Sequence, residues 1–212
     1  MKRIISKDFD VSKMAYFSDD LCQRYLLEVS FSHEITTNIA VILMNPKNNI
    51  LTEKDDILKK VEGFLQQKEY PAVPKINFTN LFPFVKNRIK ELNTQLAAND
   101  LHQMAEFKKN LAMMKSVIKS ADKIILAWGS LPDELSKQKF QTAIADVYHL
   151  LRMFNKTENC YVFSIKEKNA LLDEEGNPFH PNQGTLESLQ PIENLWMENM
   201  KIQYRFTKMS HI

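Results

Sequence analysis

Apolar residues in this chain fall into short continuous runs, separated by longer stretches where they recur at helical spacing. Ile39-Ala40-Val41-Ile42-Leu43-Met44 is one such run, and Asn45-Pro46 ends it. A run without polar alternation suits a strand covered on both faces. Proline removes a ladder donor and biases its predecessor away from helix, so the strand stops there. From Thr52 to about Tyr70 the period changes, with Ile57, Val61, Phe64 and Leu65 on one helical stripe. Thr52 and Asp55 have capping-box-like spacing, and Asp55 and Asp56 suit the positive end of the helix dipole.

The same alternation of patterns continues. Lys75-Ile76-Asn77-Phe78-Thr79-Asn80-Leu81-Phe82 reads as a second strand, and helical sequence follows around 86–98. Asn99 and Asp100 can cap a longer helix bearing Met104, Phe107, Leu111, Met114 and Ile118. Lys123-Ile124-Ile125-Leu126-Ala127-Trp128 is a third strand, stopped by Gly129. Pro132 is placed to start a helix whose buried side is Phe140, Ile144, Val147, Leu150 and Leu151. Cys160-Tyr161-Val162-Phe163-Ser164-Ile165 is a fourth strand. Residues 24–31 and 200–208 have edge-strand composition, and residues 1–20 read as irregular. Strands alternating with helices predict a single α/β domain over residues 1–212. The expected architecture is a three-layer α/β/α sandwich on a mainly parallel four-stranded sheet, with edge strands at its margins.

Composition narrows the classes without choosing among them. The 212 residues are 44% hydrophobic and 25% charged, with a formal net charge of +2, a globular balance. That charge neither demands nor excludes a nucleic-acid partner, which needs a local basic face. Cys22 and Cys160 have no metal-ligand spacing and suit reduced thiols in a cytoplasmic protein. The first residues lack a signal-peptide core, and no apolar run reaches the length of a membrane span. No phosphate-binding glycine loop, metal-binding histidine spacing or nucleophile elbow occurs, so neither cofactor nor metal is expected.

The chemistry gathers where strands end. Parallel sheets collect ligand groups at the carboxyl ends of their strands. Asn45-Pro46, Asn80-Leu81-Phe82, Trp128-Gly129-Ser130 and His180-Pro181 should therefore share one edge. His180, between Pro178 and Pro181, sits in a stiff loop, where its ring can donate to a developing negative charge or exchange a proton; the alternative is an exposed loop histidine. Asn45 can orient a water or simply serve a turn. Asn80 can pair with the edge of a nucleobase or satisfy loose backbone groups. Phe82 and Phe84 suit the core, or one can stack on a flat ligand. Trp128 can cover the sheet edge and Gly129 permit a turn. Asp55 can supply a general base or start a helix.

Arg24-Tyr25-Leu26, Leu43-Met44-Asn45-Pro46, Asn80-Leu81-Phe82, Asn99-Asp100, Ala127-Trp128-Gly129 and Gly176-Asn177-Pro178-Phe179-His180-Pro181 follow one another in an order and spacing that resemble the domain of unknown function 1643 family of bacteria and phages. The resemblance covers about Leu21 to Gly184 and implies no activity. The asparagine-proline loop, strand-end asparagine, Trp-Gly-Ser and His-Pro loop are also similar, more distantly, to the uracil-DNA glycosylase superfamily. Those enzymes are α/β sandwiches that remove a base from DNA without metal or cofactor. That resemblance implies that Asn45 holds the water, Asn80 reads the base and His180 stabilises the departing base, with Leu186 or Leu189 penetrating the DNA. Met44 stands where a small residue is common, Asn182 where serine is, and the first loop lacks an aspartate.

The resulting expectation is a metal-independent, nucleobase-excising hydrolase acting on a modified or damaged base. Asn45, Asp55 and His180 would do the chemistry, and Asn80, Phe82, Phe84, Trp128, Gly129 and Pro46 would line the pocket. Lys86, Arg88, Lys90, Lys201, Arg205 and Lys208 would meet DNA phosphates. The rival expectations are a non-catalytic module binding a nucleotide or modified base, and a hydrolase of free nucleosides or nucleotides.

Overall fold

In chain order, the computed structural model has strands β1 (Lys2–Asp8), β2 (Val11–Phe17), β3 (Arg24–Ser30) and β4 (Thr37–Leu43), then helix α1 (Asp56–Glu69) and strand β5 (Pro74–Asn80). Helix α2 (Leu101–Ser120), strand β6 (Lys123–Leu126), helix α3 (Lys137–Met153) and strand β7 (Cys160–Ile165) follow. Strands β8 (Leu186–Glu198) and β9 (Lys201–Phe206) are the last elements among the described residues, and a single-turn 3-10 helix, Pro181–Gln183, precedes them. The structure describes residues 1–8, 11–31, 37–46, 55–69, 74–84, 101–133 and 135–207. The helical sequence expected around 86–98 lies outside them.

All nine strands join one sheet in the order β1-β2-β3-β5-β4-β6-β7-β8-β9. The pairs β4–β5, β4–β6 and β6–β7 are parallel. The pairs β1–β2, β2–β3, β3–β5, β7–β8 and β8–β9 are antiparallel. The expected four-stranded, mainly parallel sandwich is therefore wrong: the sheet is mixed and largely antiparallel. Parallel neighbours need a long crossover, and only segments separated by helices have one. β1–β2, β2–β3 and β8–β9 are consecutive strands with short connections, whereas β3 joins β5, and β8 joins β7, antiparallel across longer segments of chain.

The reasons for the missed strands are local. β1 and β2 pair antiparallel within the stretch expected to be irregular, although Lys2, Arg3, Lys7 and Asp8 make β1 read as polar coil. β3 is interior, flanked by β2 and β5, and is not the expected edge. β8 carries Pro191 and several acids, which argue against a strand by composition. Its first half pairs with β7 and its second half with β9, across a turn in which Asn199 and Met200 both have positive φ. That backbone matches the twist of a two-residue hairpin. Helix α3 begins at Lys137, not at Pro132, whose carbonyl instead accepts from Leu135 N at 2.9 Å.

Alternation along the strands makes two cores. Ile39, Val41 and Leu43 of β4, Ile76 and Phe78 of β5, and Ile125 of β6 face Leu58, Val61 and Leu65 of α1. Ala40 and Ile42, Ile124 and Leu126, and Cys160 and Val162 face the other way, onto Met114 and Ile118 of α2 and Phe140, Ile144 and Leu151 of α3. The β8–β9 hairpin adds Ile192, Leu195 and Ile202 to that second core. No helix among the described residues is long and apolar enough to cross a membrane.

Candidate functional site at the strand ends

Strand order and helix placement define where a site can form. From β4 the chain passes through α1 on one face to β5. From β6, the neighbour of β4 on its other side, it passes through α3 on the opposite face to β7. The carboxyl ends of β4 and β6 are thus a switch point, where a crevice opens between loops that diverge. Asn45-Pro46 leaves β4 there, and Trp128-Gly129 follows β6.

His180 is placed against that point by Gly129. Gly129 has φ +81°, and its N–H donates to Pro178 O at 3.0 Å. A Cβ added to Gly129 would stand 2.8 Å from His180 Cβ, so glycine serves both the turn and the close approach. His180 N donates to Gln183 Oε1 at 2.6 Å. Lys60 of α1 donates from Nζ to Pro181 O at 2.7 Å and also to Gly184 O. Glu167 accepts from Thr185 N and from Thr185 Oγ1, each at 2.7 Å, and these bonds hold its carboxyl below the usual range. The loop is pinned on both sides of the imidazole.

Burial pushes the His180 imidazole below its ordinary pKa; Asn182 and the charge of Asp55 act against that, and Lys60 acts with it. Its Nδ1 lies 3.2 Å from Asn182 N and 2.7 Å from Asn182 Oδ1. The backbone N–H can donate to the lone pair of a neutral ring, and Oδ1 can accept from a protonated one. Asn182 thus offers a partner to either form of Nδ1, and burial favours the neutral ring.

Two buried charges stand beside this loop. Asp55 caps α1, accepting from Leu58 N through Oδ1 at 3.3 Å, and its charge acts on both His180 and Arg24. Arg24 opens β3, is 2% exposed, and its N–H donates to Pro83 O at 2.8 Å. Burial pulls its guanidinium down to about 10, opposed by the carboxylate of Asp55. Sequence reasoning left Arg24 as a strand residue. A buried arginine cannot be told from an exposed one by residue type, and its one signal was its place in the Arg-Tyr-Leu motif.

Asn80 pairs in register with Leu43, and by alternation from Ile76 and Phe78 it faces the α1 side. It is 0% exposed, and neither Nδ2 nor Oδ1 has a hydrogen-bond partner among the described residues. Its backbone is held from behind, where Asn110 Nδ2 of α2 donates to Asn80 O at 3.0 Å. Asn45, half-buried, and Pro46, buried, continue the neighbouring strand. Contacts and charges on the α1 side link Arg24, Asp55, Lys60, Gly129 and His180, and strand register puts Asn45 and Asn80 at the ends of the neighbouring strands β4 and β5.

The other expected residues go elsewhere. Phe82 and Phe84 lie beyond the end of β5 in the α2–α3 core, each edge-on to Phe107, with centroids 6.2 and 5.4 Å away. Trp128 keeps the parity of Leu126 and joins the same core, although Gly129, one residue on, meets His180. Leu186 and Leu189 lie on β8, partly buried against the α1-side core. Lys201 and Arg205 are exposed on β9, at the far edge of the sheet. Lys86, Arg88, Lys90 and Lys208 lie outside the described residues. Among the described residues no group of three or more His, Cys, Asp or Glu could hold a metal ion.

Fold and rim together define a mixed α/β protein with a polar, partly desolvated cluster at a switch point. The chain belongs to the family described as Protein of unknown function (DUF1643), whose profile matches residues 24–182. The match begins at Arg24 and ends at Asn182, so it contains every residue named for the α1 side of the rim. No curated protein and no solved structure matches the chain. The likeness to the uracil-DNA glycosylase superfamily finds no support in these comparisons.

Proposed function

We propose that the α1-side rim binds a nucleobase, and that the protein is a hydrolase that excises a modified or damaged base from DNA. One observation carries the reading: the carboxamide of Asn80, fully buried at a strand end, whose donor and acceptor have no partner among the described residues. A buried unsatisfied group costs about 1–3 kcal/mol, so such a pair is retained where a ligand completes it. A carboxamide with both ends open matches the adjacent donor and acceptor of a base edge.

The reaction asks little of the residues present. The C1′–N bond breaks, its electron pair leaves on the base, and Nε2–H of His180 stabilises that charge. A water held near Asn45 adds its oxygen to C1′, and its proton passes to the carboxylate of Asp55. Removing a positioned donor of this kind costs roughly two to four kcal/mol in the transition state. One feature favours a second reading, a module that binds the base or nucleotide without turnover: Asp55 is already engaged as the cap of α1.

Oligonucleotides carrying different modified bases, incubated with the protein and then cleaved at abasic sites, test the proposal. Strand breaks should appear with at least one base and fall about 100-fold or more in His180→Ala. Binding of a modified nucleoside without abasic product establishes the module. Neither product nor binding ends both readings.

A further inference from the structure

A single 3-10 turn leaves most of its carbonyls without a partner inside the turn. Lys60 reaches the turn after His180 from α1, donating from Nζ to Pro181 O at 2.7 Å and to Gly184 O. A lysine on a helix surface ordinarily leaves its ammonium in water. Here the side chain is half-buried, and two of its three donors go to a loop 121 residues further along the chain. On the other side of the turn, a Cβ on Gly184 would stand 2.5 Å from Ile165 Cγ2, so the backbone is pressed against the end of β7. The turn is held between β7 and α1.

The bond to Pro181 O bears directly on the imidazole. Pro181 C=O and Asn182 N–H belong to one peptide unit, which is planar and resists rotation about its C–N bond. The ammonium holds the carbonyl end, and the amide end donates to His180 Nδ1 at 3.2 Å. A chain of hydrogen bonds thus runs from Lys60 through one peptide to the ring. A cation on the carbonyl draws electron density from the nitrogen and makes its N–H a stronger donor. The competing arrangement puts the ring proton on Nδ1, which then donates to Asn182 Oδ1 at 2.7 Å. Fixing and polarising the peptide opposes it, because Nδ1 cannot carry a proton and accept from Asn182 N at once.

We propose that Lys60 is a positioning residue for His180: through the Pro181–Asn182 peptide it makes Nδ1 an acceptor and leaves the ring proton on Nε2, where a ligand can receive it. Asp55, the opposing charge on the ring, stays in place when Lys60 is changed. The inference deepens the excision reading, which draws on Nε2–H. It concerns the chain without substrate, so either can fail alone.

Ring-nitrogen chemical shifts of His180 in the isotope-labelled full chain, at pH 7.5, report which nitrogen carries the proton. In the natural chain it should be Nε2. Lys60→Met keeps the apolar stem and removes the charge. The share of rings protonated on Nδ1 should then rise about fivefold or more. The Asn182 amide should exchange with solvent about tenfold faster. Lys59→Met, at the exposed position one residue away, should change neither. Thermal unfolding checks that each variant is folded, and Lys60→Gln replaces Lys60→Met if the latter is not. A proton on Nδ1 in the natural chain overturns the proposal. So does an unchanged proton distribution in the folded Lys60 variant, even with faster exchange, because Lys60 would then serve loop stability alone. An equal change in Lys59→Met overturns it as well.

Discussion

On the α1 side of the strand ends, the His180 loop is bonded at Pro178, His180, Pro181, Gly184 and Thr185. On the α2–α3 side, the chain beyond β5 packs Phe82 and Phe84 into an apolar core, beside a cavity of ≈ 510 Å³ with a mixed apolar and polar lining. The same strand tips feed both regions. Gly129 and Trp128 are neighbours in sequence, yet one touches His180 and the other lies in the second core. Alternation in the strand sends successive residues to opposite faces. Motifs that look like one pocket in sequence are thus divided between a hydrogen-bonded polar rim and the apolar α2–α3 core.

The largest test of that rim is Gly129→Val. A β-branched residue at φ +81° is strained, and its Cβ would fall 2.8 Å from His180 Cβ. Together these effects should cost about 3 kcal/mol or more. Gly176→Ala is the control: its φ is +84°, but no atom lies within 4 Å of an added Cβ. Backbone strain alone should cost about 1–2 kcal/mol there. Urea unfolding of both variants checks the difference. Equal losses would mean that contact with the His180 loop is not what demands glycine at residue 129.

The sequence showed part of this division and hid the rest. The apolar runs of β4, β6 and β7 are buried on both faces and were readable as strands. The hairpins were not readable, because β1 is largely polar and β8 is interrupted by Pro191 and by acids. Their pairing comes from neighbours, not from their own composition. At the rim, Asn45 and Asn80 could be placed at strand ends by the residues that stop each strand, whereas His180 lies in a loop well beyond the end of β7. Which face each side chain takes depends on where the chain leaves the sheet. Phe82 shares the parity of Asn80 but lies beyond the last residue of β5 and packs on the other side. Arg24 and Lys60 gave no sign of burial or of loop contact, since those roles depend on segments distant in sequence.

Asn80→Leu sharpens the comparison from the rim side. If the carboxamide is held there for a ligand, an apolar residue of similar size relieves two unsatisfied groups. The variant should then be neutral or up to about 2 kcal/mol more stable, while nucleobase binding is lost. Thermal unfolding and a nucleoside titration on the same sample read the two effects separately. A variant destabilised by about 2 kcal/mol or more would instead show that Asn80 supports the fold, and the asymmetry between the faces would lose its functional meaning.

The smallest effect is in the pH dependence of the rim. Burial depresses the folded-state pKa of His180, so the unfolded chain takes up the proton at a higher pH than the folded one. Above the unfolded value of about 6.5, both states are neutral and this contribution is fully present. As pH falls from there through the folded pKa, the unfolded state gains the proton first and stability is lost, by at most about 1.4 kcal/mol per pH unit for one such group. The carboxyls of Asp19, Asp20 and Glu167 are held below their usual range, so their contributions disappear only at more acidic pH. Unfolding free energies between pH 7.5 and 5.5 should therefore decline in the natural chain and less steeply in His180→Gln. Equal slopes would place His180 in solvent, where its loop would no longer differ from an ordinary surface turn.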